Sequence, residues 1–409
     1  MTAWVASPYT GLFTAFDRLD AEPHDPAIVM YAGTLARRGA HAAATLVGGA
    51  GWRASDARAA CVGEAIERCE GWLRAADGAI EATYAAWPRD EPAIAPSAFA
   101  LFSEPQYARD GFPFARLTER TCTRWVALRD AIDGSPAWVP DAFVALAAAP
   151  GEGHGVAPLI STGLAAGVAG THPVVLRGVQ EVIERDALVR AWWGELALEA
   201  LDPDEAFAQL GAPIARRARR PHLAFRFLRI ATPFAAHATL VTVSGEEPEG
   251  FVLGTGAAVR ETRAESLEKA LLEALQGRAY VRHQRARVEP ELADRLPRDF
   301  SEHVLYYTLR PERLADTVLG RPCAAEDRAE RARVEGLDAL AERLPARPLF
   351  RLMTPPFAAR LAPDLAVVKV VVPGLVPLHA HHLLAHLGAP FWRDRDLAAW
   401  LAHPPHPFA

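Results

Sequence analysis

The chain has 409 residues, a net charge of −6 and a composition that is 50% hydrophobic and 23% charged. Such a chain buries a real core, which excludes disorder as its main state, and it lacks the overall basic field that a nucleic-acid backbone requires. Of its 44 basic residues only Lys269 and Lys369 are lysine, and no Gly-Lys-Ser/Thr occurs, so a P-loop nucleotide site is excluded and Schiff-base catalysis would rest on one of two side chains. The four cysteines, Cys61, Cys69, Cys122 and Cys323, form no CxxC pair, which points away from a zinc ribbon or disulfide framework and toward reducing cytosol. Met1 to Phe13 has no basic region ahead of an apolar stretch, and Lys369 and prolines interrupt the longest apolar run, Leu365 to Leu378. These features predict a soluble cytoplasmic protein without a membrane partner.

In chain order, Ala42 to Val47 reads as a short buried strand. Glycines follow, and Ser55 and Asp56 then open a helix that runs to about Ala75. A loop rich in proline and charge, Trp87 to Pro105, precedes strand-like stretches at Arg124 to Leu128 and Ala137 to Val144. The glycine-rich segment Gly151 to Gly170 leads into a long helix from Pro173 to about Trp193. Strand periodicity runs from His222 to Val243, a further strand covers Phe251 to Leu253, and a helix is predicted from about Glu261 to Arg285. A charged helix at Glu326 to Leu344, a strand at Leu365 to Val372 and a proline-rich tail, 404–409, complete the pattern. Regular mixing of helices and strands predicts a mixed α/β fold, read as one domain over 1–409 with interwoven subdomains.

One internal echo carries chemistry. Glu64-Ala-Ile-Glu67-Arg68 is matched by Glu181-Val-Ile-Glu184-Arg185, and a third helix holds the related Glu273-Ala-Leu-Gln276-Gly-Arg278. Residues i and i+3 share a helix face, so each glutamate pair repels itself unless a cation intervenes. Four carboxylates from two helices form a hard-oxygen cage suited to Mg2+, and magnesium commonly brings a bound phosphate. The alternative is a pair of solvated helix faces with local ion pairs worth about 0.2–0.5 kcal/mol each. Gly49-Ala-Gly51 partly imitates a dinucleotide fingerprint but lacks the acid that closes a second strand, and reads more simply as a turn. His379, His381, His382 and His386 lack a zinc-protease pattern and read as packing or substrate-facing side chains. Arg216, Arg217, Arg219 and Arg220 read as a solvated segment, and Cys69 as a small buried hydrophobe.

The order of these motifs resembles the YcaO family over nearly the whole chain. The resemblance rests on Gly49-Ala-Gly51, Ala57 to Arg68, Ser161-Thr-Gly-Leu-Ala-Ala-Gly167, Glu181 to Ala187, Ala270 to Arg278, Val372-Pro-Gly-Leu375 and the terminal Pro404-Pro-His-Pro-Phe-Ala409. The proline-rich ending is similar to the azoline-forming branch. The resemblance implies that Glu64, Glu67, Glu181 and Glu184 hold Mg2+, and that these residues with Arg185, Glu273 and Arg278 hold ATP. It also implies that His406 or the carboxylate of Ala409 acts on the peptide. The implied activity is ATP-dependent cyclodehydration of Cys, Ser or Thr in a ribosomal precursor peptide, with a separate ThiF-like or leader-binding partner; a homodimer is a further expectation. Two departures support a second reading as a peptide- or partner-binding subunit with little catalysis. Val168 to Pro173 carries no acid where the family shows Asn and then Glu, and Ala50 stands where Lys is common. Thioamide or amidine formation is a third reading.

Overall fold

The computed structural model describes residues 12–35, 46–73, 78–99, 101–146, 155–285, 292, 295–325, 333–354, 363–389 and 397–408, and of residues 70–73 the backbone alone. Three sheets and nine helices are present among them, so the fold is mixed α/β. The first sheet is an antiparallel meander of β1 (Phe13–Leu19), β2 (Val29–Leu35) and β3 (Leu46–Gly51). The second contains β4 (Ile80–Ala82), β5 (Thr123–Asp130), β6 (Pro136–Pro140), β7 (Leu164–Gly167), β13 (Leu349–Leu352) and β14 (Ala366–Val371). Its order is β4-β5-β13-β14-β7, with β6 paired to β5. The third has the order β11-β10-β9-β8-β12, built from β8 (Leu198–Leu201), β9 (Ala224–Ile230), β10 (Ala238–Glu247), β11 (Gly250–Val259) and β12 (Ala324–Ala325).

Strands β3, β7 and β11 are each the last strand of their sheet, and three long helices cover them. Helix α1 (Ala54–Leu73) packs on β3 and β7, α3 (Thr171–Trp192) on β7 and β11, and α6 (Arg263–Arg285) on β11 and β3. The contacts close into a ring of three edges and three helices. The remaining helices are shorter: α2 (Glu104–Tyr107), α4 (Pro203–Leu210), α5 (Ala212–Ala218), α7 (Phe300–Leu309), α8 (Leu337–Ala341) and α9 (Leu397–Ala402). The largest core lies between α3 and the strands β11 and β14, with Val179, Ile183, Leu188, Leu253, Val368 and Val370 inside it. None of the described helices is long and apolar enough to cross a membrane.

Several boundaries differ from the expectations. The glycines after Val47 are strand, not turn, and residues 42–45 lie outside the described residues. They are needed for helix approach: a Cβ on Gly49 would meet the Cys61 backbone nitrogen of α1 at 2.2 Å, and one on Gly256 the Ala270 carbonyl of α6 at 2.3 Å. The run His222 to Val243 is two antiparallel strands, β9 and β10, because Pro233 lies in the connection and cannot donate to a ladder. Of the helix expected over Glu326 to Leu344, residues 326–332 lie outside the described residues and Leu337–Ala341 is helical. Helix α3 begins at Thr171 after Gly170, whose φ of 85° suits glycine.

The Gly49 contact makes a direct prediction. Gly49→Ala should push α1 off β3 and cost about 1–3 kcal/mol, read as a lower midpoint in chemical unfolding. An unchanged midpoint would show that β3 and α1 tolerate separation.

Candidate functional site

Helix α1 buries Val62 and Ile66 against the sheet, which turns Glu64 and Glu67 toward the neighbouring edges. The strand ends then fix the carboxylates. The Gly48 N–H of β3 donates to Glu64 at 2.9 Å, the Ala166 N–H of β7 to Glu67 at 2.8 Å, and the Gly163 N–H just before β7 to Glu181 at 3.0 Å. Each bond takes one carboxylate oxygen. A second set of contacts comes from cations: Arg68 lies 3.7 Å from Glu64, and Arg185 lies 3.5 Å from Glu184 and 3.8 Å from Glu181. On α6, Lys269 pairs with Glu273 at 3.0 Å.

The carboxylates feel one another across helices. Burial, with the charges of Glu181 and Glu64, pushes Glu67 up to about 8. Burial also pushes Glu184 up to about 8 against the opposing pull of Arg185, with Glu273 and Glu181 adding to the rise. Glu64 is raised by burial, and Glu273 is one of the charges that add to this. Glu273 itself is lowered: burial would raise it, but Lys269 and Arg185 outweigh that. Five carboxylates from α1, α3 and α6 thus converge, and burial, with the neighbouring carboxylate charges added, holds Glu67 and Glu184 largely protonated at neutral pH.

This donor set fits Mg2+. It consists of hard oxygens, and for Glu64, Glu67 and Glu181 the strand N–H fixes one oxygen, so the carboxylate is already oriented. Glu64, Glu67, Glu181 and Glu184 would hold the ion, with Arg185 beside Glu184 on α3 and Glu273 on α6 coupled to the same carboxylates.

Two of the sequence-predicted site residues, Arg278 and His406, have other partners in the structure. Arg278 is buried, bonds Asp25 at 3.2 Å and also pairs with Glu247. Arg282 joins the same Asp25 carboxylate. The Arg278 guanidinium is held in an ion-pair network that ties α6 to the β1–β2 connection and the end of β10. His406 is likewise enclosed by protein groups. It is 2% exposed, its Nε2 donates to the His379 carbonyl at 2.9 Å, its Nδ1 accepts from the Phe408 N–H at 3.3 Å, and burial pushes it down to about 3. Such a ring is packed and stays uncharged at neutral pH, keeping the single proton on Nε2. Ala409 lies outside the described residues.

The tail does not project. Trp192 Nε1 donates to the Pro404 carbonyl at 2.8 Å, Tyr307 Oη to Pro405 at 2.6 Å, His303 Nδ1 to His406 at 2.7 Å, and Thr255 Oγ1 to Pro407 at 3.0 Å. Four successive carbonyls are therefore held by side chains of α3, α7 and β11. Proline suits this course because Pro404, Pro405 and Pro407 bring no N–H to satisfy. Thr255 sits between Gly254 and Gly256 of β11, which lie against α6, and a Cβ on Gly256 would meet the Glu273 Cβ at 2.7 Å. The strip is thus held on the strand that α6 covers.

Both lysines belong here, and sequence reasoning assigned neither to the site. Lys369 of β14 is 1% exposed, donates to the Ile160 and Thr162 carbonyls at 2.6 Å each, and is pushed down to about 7 by burial, opposed by the charge of Glu181. It holds the Ser161-Thr-Gly163 turn whose last N–H fixes Glu181. Their rarity in an arginine-rich chain was the available signal: the only two lysines flank one site. Lys369 also lines a cavity of about 120 Å3 together with Phe99, Phe143, Ile160, Val182 and Leu375.

The profile of a family described as YcaO cyclodehydratase, ATP- and Mg2+-binding, matches residues 48–376. A solved heterocyclase in complex with substrate and cofactor is similar over 98% of this chain, at 21% identity and a TM-score of 0.69, and the chain spans 55% of that protein. YcaO from Methanopyrus kandleri bound with AMPPCP and Mg2+ is similar over 91% of this chain and 88% of its own, at 18% identity and a TM-score of 0.60. A chain of the E. coli microcin synthetase McbBCD complex is similar over 97% of this chain and 96% of its own, at 14% identity and a TM-score of 0.64. These likenesses show a shared fold. No curated protein sequence matches the chain.

Removing Arg278 should separate its structural role from nucleotide binding. Arg278→Met leaves Asp25 and Glu247 buried and under-compensated and should cost about 3–5 kcal/mol in unfolding free energy. The folded fraction should bind a nonhydrolysable ATP analogue with unchanged affinity in calorimetry, whereas a matching loss of affinity would return Arg278 to the phosphate.

Proposed function

The chain belongs to the YcaO family, and on that premise we propose that it is an ATP-dependent cyclodehydratase acting on a ribosomal precursor peptide. One observation carries this reading: carboxylates from three separate helices converge, and the N–H groups of β3 and the β7 segment fix three of them. In this proposal Mg2+, when bound, neutralises phosphate charge and orients ATP. The peptide supplies its own nucleophile, a Cys, Ser or Thr side chain that attacks the preceding amide carbonyl. The γ-phosphoryl group of ATP passes to the resulting oxygen with release of ADP, and that oxygen then departs as phosphate while the amide N–H proton is lost, closing the azoline.

The chain's residues need only position and neutralise. Glu64, Glu67, Glu181 and Glu184 hold the cation. Arg185, on the turn after Glu184, faces the same oxygens and would neutralise phosphate in bidentate fashion. Lys269 and Lys369 set the charge and position of Glu273 and Glu181. The core-anchored strip Pro404–Phe408 would form one wall for the peptide. A separate ThiF-like or leader-binding protein is proposed as the partner that delivers it, and the match to nearly the full length of a chain in a multi-protein synthetase supports this.

A second reading, a binding subunit with little turnover, is favoured by the start of α3, where Val168, Thr171, His172 and Pro173 are exposed and bring no acid. One assay separates the two. Purified protein with its peptide and partner should release ADP and remove one water per ring, seen by mass spectrometry. Glu67→Gln and Glu184→Gln should each lower ADP release about a hundredfold or more, about 2.7 kcal/mol in the barrier, with the circular dichroism spectrum retained. Equal rates in both variants would sink the cage assignment, and peptide binding without any ADP release would leave the binding-subunit reading.

A further inference from the structure

Five histidines outside the carboxylate site, His303, His379, His382, His386 and His406, are buried together, none more than 3% exposed. They come from α7, from the loop after β14 and from the C-terminal strip. A neutral imidazole carries one N–H and one lone pair, and each such group buried without a partner forfeits its hydration with nothing in return. Both ring nitrogens of His379, both of His382, Nε2 of His303 and Nε2 of His386 have no hydrogen-bond partner among the described residues. Six orphaned nitrogens in one cluster require something that satisfies them.

The nitrogens that do have partners show what that is. His303 Nδ1 lies 2.7 Å from the His406 carbonyl, so its proton is on Nδ1 and its lone pair on the orphaned Nε2. His386 Nδ1 lies 2.9 Å from the Pro377 carbonyl, which again leaves the lone pair on Nε2. His406 Nε2 donates to the His379 carbonyl, so its lone pair is on Nδ1, where the Phe408 N–H reaches it only at 3.3 Å. A backbone carbonyl holding the far N–H is how metal-bound imidazoles are oriented. His303, His379 and His406 bring one ring nitrogen each within 4.8 Å of the other two.

We propose that His303, His379 and His406 form a metal site for Zn2+ or a similar d-block divalent cation, which clamps the C-terminal strip to α7 and the loop after β14. Imidazole nitrogen selects zinc, copper or nickel over Mg2+, so this site and the carboxylate cage do not compete for one ion. Three neutral ligands leave a fourth position, for water or for His382, whose ring centre is 6.4 Å from that of His303. The rings of His303 and His406 stack at 3.8 Å and 5° without the ion. Coordination must splay them and release the weak Phe408 contact, so the ion orders the end of the chain directly. The inference is independent of the proposed reaction.

The test uses full-length, tag-free protein stripped with a chelator, titrated with Co2+ alone and then with Zn2+. Expected are one Co2+ per chain, the intense visible absorption of a four-coordinate ion, its displacement by Zn2+, and a higher melting temperature with either metal. His379→Asn and His303→Asn should lose the absorption, while His172→Gln, on the exposed start of α3, and Glu67→Gln, in the cage, should keep it. Should the two cluster variants fail to fold, the wild-type spectrum and thermal shift still decide. Absence of the four-coordinate absorption in the wild-type protein, or its loss in Glu67→Gln or His172→Gln, overturns the proposal and leaves buried water as the partner of these rings.

Discussion

The burial of glutamates from three helices in one place is the constraint around which the rest of this structure is arranged. Glu64, Glu67, Glu181, Glu184 and Glu273 come from three helices, and burial, with neighbouring carboxylate charge added to it, lifts Glu67 and Glu184 to about 8. A fold does not gather such a group for stability. It is held together by strand N–H donors from β3 and the β7 segment, by cations on the rim, and by helices that cannot slide because small residues lock them to the strands. The scaffold carries the cost of an arrangement whose natural counterpart is a divalent cation.

The lock is the ring of three helices over three sheet edges. Gly49 lets α1 settle on β3, and Gly256 lets α6 settle on β11, at distances where any side chain would collide with helix backbone. An edge strand would otherwise expose its unpaired N–H groups. Here some of those donors are used on carboxylates, so the same backbone groups that finish the sheets also aim the site. Arg278 belongs to this scaffold: with Arg282, Asp25 and Glu247 it fixes the far side of α6.

The C-terminal strip is the third component. A proline-rich segment normally lies in solvent, because its carbonyls then need no protein donor. This one is buried, and Trp192, Tyr307, His303 and Thr255 each supply a donor to one carbonyl in succession. The strip thereby joins α3, α7 and β11, the strand on which α6 packs. Its histidine is an internal support, stacked on His303, and the charge of Arg185 is felt at its ring.

Helix faces and their glutamate echo were legible from residue order, because i and i+3 positions must share a face whatever the tertiary structure. The mixed α/β class, the long helices near residues 54–73, 171–192 and 263–285, and the lack of a P-loop lysine were legible for the same local reasons. Local pattern could not tell that the glycines of β3 are strand, since a glycine serves a turn and a close helix contact equally well. Nor could it separate Arg185 from Arg278, both placed just after an acid or amide on a site helix: Arg278 turns to Asp25, more than 250 residues away in sequence, and only packing decides that. The same holds for Lys369, ordinary in its strand until β14 sets it beside Glu181, and for His406, whose neighbours come from α7 and the loop after β14. Periodicity fixes which side of an element a residue occupies; what stands opposite is chosen by the long-range closure of the sheets and helices.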